Sequence, residues 1–139
     1  MIADVNSILR AYLVTCGALT SLIGGATPRI YCPRLPEGCL LPAVGFFVRG
    51  GRSSSYIAGI ISPSFQIDSW AITPLVARQV YRALYDNLQG LERTAVVVGG
   101  NTYYILGASE EVQGMDLQDA EIPNYYRCLT FFSVMIRAE

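Results

Sequence analysis

The sequence predicts an α+β domain: an antiparallel β-sheet of about four to five strands, two helices packed on one face, and a long β-hairpin arm. Three observations predict it. Apolar residues recur every three or four positions in two stretches, 5–16 and 74–88, as on the buried stripe of a helix. Side chains alternate with a period of two in 43–50, 65–71 and 125–137, as in strands. Gly99-Gly100-Asn101 separates two β-prone runs with residues that accept the positive φ of a tight hairpin. At 139 residues the chain is expected to form one domain, 1–139.

The elements follow in order. Val5, Ile8, Leu9, Tyr12, Leu13 and Cys16 form one stripe along a first helix that Asp4 is placed to cap. Leu19 to Ile23 add a turn, and Gly24-Gly25 stop it. "PRIYCPRLPEGCLLP" then reads as extended and rigid, its prolines at 28, 33, 36 and 42 excluding helix. "AVGFFVRG" reads as a strand with Val44, Phe46 and Val48 on one face and Gly45, Phe47 and Arg49 on the other. Residues 50–63 read as a long connection, Gly- and Ser-rich at first and apolar at Tyr56, Ile57, Ile60 and Ile61. From Phe65 the chain alternates again, with Phe65, Ile67, Ser69 and Ala71 opposed to Gln66, Asp68 and Trp70.

Thr73 is an N-cap residue and Pro74 suits the first helical position, so a helix starts there. It buries Ala77, Val80, Tyr81, Leu84 and Leu88, faces Arg78, Gln79, Arg82 and Asp86 outward, and ends at Gly90. After the hairpin at 99–101, residues 107–122 carry five acids, Glu110, Glu111, Asp116, Asp119 and Glu121, and no base, and read as an acidic loop. A last strand, 125–137, is apolar on both faces. The helices cover one sheet face; nothing remains to cover the other, which carries Trp70, so a neighbouring subunit is the expected cover. Trp70 itself reads either as a core aromatic or as an interface anchor.

Composition narrows the chemistry. With no histidine and no lysine, the Ser-His-Asp, Cys-His, Schiff-base and Ser-Lys mechanisms have no residues to run on, and a non-enzyme is expected. Cys16, Cys32, Cys39 and Cys128 show no zinc-ligand spacing, so neither metal nor cofactor is expected. Cys16 and Cys128 read as buried thiols, while Cys32 and Cys39 flank the Pro-rich loop. Net charge −1 removes the basic excess that nucleic-acid binding exploits. No apolar run approaches the roughly 18 residues of a membrane span, and Asp4 precedes the first apolar stretch, so no membrane or secretory segment is expected. Apolar residues make up 52% and charged residues 15%, against roughly 25% charged in ordinary soluble domains, which suits a chain that buries surface between subunits. Arginine and tyrosine, both enriched at protein contacts, fit the same reading.

Three segments, "RIYCPRLPEGCLLPAVGFFV" at 29–48, "SFQIDSWA" at 64–71 and "TPLVARQVYRALYDNL" at 73–88, stand behind the first helix. In that order and spacing they resemble the tail terminator (tail completion) proteins of long-tailed bacteriophages. The likeness covers about 4–90, with "YRCLTFFSVMI" at 126–136 also fitting and 107–122 matching poorly. The resemblance implies a ring, hexameric in the family's pattern, at the tail-head junction of a virion assembled in the host cytoplasm. Such a ring caps the tail tube and ends its growth; its partners are copies of itself, the tail tube protein and the head connector or stopper, and DNA passes through without specific binding. The expected interface joins Arg49, Arg52, Tyr56, Ile57, Ile60, Gln66, Asp68 and Trp70. Glu110, Glu111, Asp116 and Asp119 form a candidate lumen lining that repels DNA phosphates. Another head-tail joining protein, a neck adaptor or stopper, and a small-molecule-binding α+β domain with an enclosed pocket are the alternatives.

Overall fold

The computed structural model describes residues 4–33, 35–36, 38–53, 59–118 and 125–138, the side chains of Ser53 and Ala138 excepted. Helix α1, Val5–Leu13, follows Asp4, which occupies the N-cap position without a side-chain hydrogen bond, so the expected cap does not form. A short helix α2, Gly17–Thr20, continues it, and Gly24 and Gly25 end the segment at positive φ. Strand β1, Ile30–Tyr31, lies in the Pro-rich segment that reads only as extended in the sequence. Strands β2, Ala43–Ser53, and β3, Ile60–Ala71, precede helix α3, Pro74–Leu88. Strands β4, Leu91–Val98, β5, Asn101–Gln118, and β6, Tyr126–Ala138, complete the chain.

The strands form one sheet in the order β1-β2-β3-β6-β5-β4. It holds six strands rather than four to five, and it is mixed, because β1 pairs parallel to β2 through Ile30–Val44 and Tyr31–Gly45. Two paired residues between prolines carry too little pattern to announce a strand. The described ends of the connection expected over 50–63 are strand as well, since β2 and β3 stay paired out to Ser53–Ile61. A bulge between Val48 and Gly51 hides this continuity. At Gly51, φ is +130°, and an added Cβ would collide with the Ser62 carbonyl, so only glycine fits there.

The largest departure is the acidic segment. Residues 107–118 are not a loop but the far half of β5, paired with β6 down to Gln118–Tyr126. Register shifts fall between Ile105 and Gly107, Glu110 and Val112, and Val112 and Met115. Each inserts an extra residue and resets which side chain faces the core, which erases the alternation a sequence reading depends on.

The core lies between the sheet and the helices, all packed on one face. Ile8, Leu9 and Leu13 of α1 and Val80, Leu84 and Leu88 of α3 meet Phe46, Phe65, Ile67, Phe132, Val134 and Ile136 of the sheet. Helix α1 touches both β2 and β4, which stand toward opposite ends of the strand order, so the sheet curls around it as a half-barrel. Helix α3 buries the five residues its sequence spacing predicts, with Thr73 Oγ1 accepting from the Val76 N–H at 3.3 Å. Arg82 and Asp86 pair at 3.3 Å on its outer side. Gly99 and Gly100, both at positive φ, turn β4 into β5. Among the described residues no helix is long and apolar enough to cross a membrane.

Candidate functional site

Register fixes what the uncovered sheet face displays. Phe65 pairs with Phe132 and Val48, all on the helix side, so Gln66, Asp68 and Trp70, one residue out of phase, point away from the helices. Successive cross-strand rows on that face are Phe47-Gln66-Phe131-Val112, Gly45-Asp68-Leu129-Met115, and Ala43-Trp70-Arg127-Leu117. Arg52, opposite Ser62, and Ile60, opposite Arg137, extend the same face at its other end. Val112, Met115 and Leu117 are 40%, 41% and 36% exposed, and Met135 is 43% exposed. No described helix or strand covers them.

The structure therefore brings Arg49, Arg52, Ile60, Gln66, Asp68 and Trp70 onto one surface, while Tyr56 and Ile57 lie outside the described residues. Trp70 is half-buried on this surface and is not among the core residues. Its ring meets Tyr125 edge-on, centroids 6.2 Å apart, and the Arg127 guanidinium sits 5.4 Å from it. Arg49 covers Phe131 at 4.3 Å, and Arg93 covers Tyr104 at 4.5 Å. Guanidinium groups laid over rings give a surface that is apolar in area yet carries charge, the composition favoured where proteins meet.

Asp68 sits in the middle of this face and is only 8% exposed. Its Oδ2 lies 3.6 Å from Arg127 Nη1, beyond hydrogen-bond length, and its buried Oδ1 has no hydrogen-bond partner. Burial pushes its carboxyl above the ordinary value, while Arg127 and then the Gln66 amide pull it back. Sequence alternation over 125–137 would have added Arg127, Leu129 and Phe131 to the site. Nothing in the sequence pointed to Val112, Met115 and Leu117, because the β5 bulges scramble their phase.

The acids of β5 do not share a face. Glu110 Oε2 accepts from Tyr81 Oη at 2.6 Å and lies 2.6 Å from Thr130 Oγ1, on the helix side. The Glu110 N–H donates to Gln89 Oε1 at 2.7 Å, and the Gly114 N–H donates to Tyr81 Oη at 3.2 Å. Asp116 pairs with Arg78 at 2.9 Å, also beside α3. Glu111 instead accepts from Ser64 on the open face at 2.6 Å. Asp119 lies outside the described residues. A common lining by these acids is therefore not what β5 presents; Glu110 and Asp116 fasten a bulged strand to a helix.

Among the described residues no cluster of His, Cys, Asp and Glu could hold a metal ion. Cys16 and Cys128 are buried and Cys32 exposed, all as free thiols. A depression of about 310 Å³ lined by Ser62, Gly107, Ser109, Ser133 and Met135 is a shallow dip open to solvent.

Fold and surface together define a class: a curled α+β half-barrel with helices on one face and, on the other, an arginine- and aromatic-bearing sheet surface that no described helix or strand covers. No protein-family model and no curated protein sequence matches the chain. Among solved structures it is similar to a chain of the "Virion of native gene transfer agent (GTA) particle", with a TM-score of 0.64 and 15% identity, covering 99% of this chain and 100% of that one. At that identity the likeness is one of fold.

Proposed function

We propose that this chain is a structural protein of a phage or phage-like virion, without catalysis of its own, which assembles as a ring at the tail-head junction. The ring caps the tail tube, ends its polymerisation and joins the tail to the head connector, while DNA passes through unbound. The observation that carries this reading is the sheet face bearing Trp70, Phe131, Met115 and Leu117, which no described helix or strand covers. End-to-end similarity to a chain of a gene transfer agent virion supports the particle context, and the resemblance of 29–48, 64–71 and 73–88 to tail terminators supports the place within it.

A ring needs a heterologous contact, in which two different patches of one subunit meet. The interface we propose joins the Trp70, Asp68 and Gln66 end of the face to the arm end carrying Arg49, Arg52, Tyr56, Ile57 and Ile60 of the next copy. Sedimentation and negative-stain microscopy of the purified chain, alone and with its tail tube protein, test it: closed rings of about six copies are expected. A chain that stays monomeric under both conditions overturns the ring.

A further inference from the structure

We infer that Arg52 of one copy forms an ion pair with Asp68 of the next copy across the proposed subunit contact. This rests on the ring reading and adds the charges that fix how neighbours engage. Asp68 has a buried oxygen without a hydrogen-bond partner, and the groups that act on its carboxyl are Arg127, no nearer than 3.6 Å, and the Gln66 amide. Removing a carboxylate from water this far is unfavourable unless further donors reach it.

Arg52 is the complementary case. It is exposed on the same face and makes no ion pair, hydrogen bond or ring contact with any described residue. The other arginines of the face are engaged: Arg49 with Phe131, Arg93 with Tyr104, Arg127 with Trp70 and Asp68, and Arg137 has a contact as well.

Within one chain the two cannot meet. Arg52 stands opposite Ser62, and Asp68 lies six residues farther along β3, about 20 Å away at strand rise and beyond the reach of an arginine side chain. Between copies the charges are complementary, and because they sit at opposite ends of the face, joining them brings the arm end of one subunit over the Trp70 end of the next. Engaged reciprocally, this pair would close a two-fold dimer; running head to tail, as the ring reading requires, it is a heterologous contact. Arg127, held only by the Trp70 ring at 5.4 Å and by a long ion pair, is the side chain that turns aside to let the Arg52 guanidinium reach the Asp68 carboxylate.

The test is a charge exchange read by sedimentation velocity. Arg52→Asp copies and Asp68→Arg copies should each remain monomeric, and an equimolar mixture should assemble, because alternating copies restore opposite charges at every contact. Either variant assembling alone as the unaltered chain does, or a mixture of folded variants that stays monomeric, overturns the pairing. Where circular dichroism shows that Asp68→Arg does not fold, Asp68→Asn and Arg52→Gln replace the exchange. Each should weaken association about ten-fold or more, and the double variant no further than either single; losses that multiply overturn the pairing. Unaltered protein that forms rings while these tests fail removes the ion pair and leaves the ring standing. Unaltered protein that never assembles removes both.

Discussion

Two residues show how local chemistry is set against the whole. Because burial raises the Asp68 carboxyl above its ordinary 3.8, the folded chain holds that proton more tightly than the unfolded chain does. Stability of the monomer then falls as pH rises through the range above 3.8. Asp68→Asn should flatten that slope and raise stability at neutral pH, measured by urea unfolding at a series of pH values; an unchanged slope would show that Asp68 is not its source. The same variant should weaken the proposed contact, an opposite effect on association that sedimentation of Asp68→Asn reads directly. Gly114 is constrained differently. A Cβ there would stand 2.7 Å from Cys128 Sγ and 2.8 Å from the Tyr81 ring. Gly114→Ala should destabilise the chain by about 1–3 kcal/mol, since neither neighbour has room to retreat within a packed interior. A urea midpoint equal to that of the unaltered chain would contradict this.

At the scale of elements, helix α3 and strand β5 are contrasting cases. Every signal for α3 is local: Thr73 and Pro74 start it, apolar spacing chooses its buried face, and Gly90 follows its end at φ +75°. Thr73→Ala should therefore cost about 1 kcal/mol, read as a fall in thermal midpoint, through the lost bond to the Val76 N–H. Strand β5 has little local signal. Its bulges place Glu110 and Asp116 toward α3, where Tyr81 and Arg78 hold their carboxylates and Gln89 accepts from the Glu110 N–H, and leave Glu111, Val112, Met115 and Leu117 on the other side. A segment whose composition reads as solvated loop becomes strand because tertiary partners take up its carboxylates.

For the whole molecule, the decisive feature is a sheet with two unlike faces. One face is sealed by α1 and α3; the other leaves Trp70, Tyr125, Phe131, Met115 and Leu117 wholly or partly exposed. Trp70 lies outside the core, so Trp70→Ala should leave the monomer folded, with its circular dichroism spectrum retained, while the proposed ring assembly weakens by a few kcal/mol per contact. If the variant assembles normally, Trp70 is no anchor; if it unfolds, the ring bears on the fold itself.

The sequence by itself determined both main helices, the phase of β2 as far as Arg49 and the phases of β3 and β6, and so put Gln66, Asp68 and Trp70 on one side of β3, because periodicity and capping are properties of neighbouring residues; Arg52 and Ile60 join that face through the bulge after Val48 and cross-strand pairing. Only the tertiary structure decided that β1 joins the sheet in parallel, that 107–118 pairs with β6, and that Trp70 belongs to the surface rather than the core. Pairing, bulges and burial depend on partners distant in the chain, and no local pattern records them.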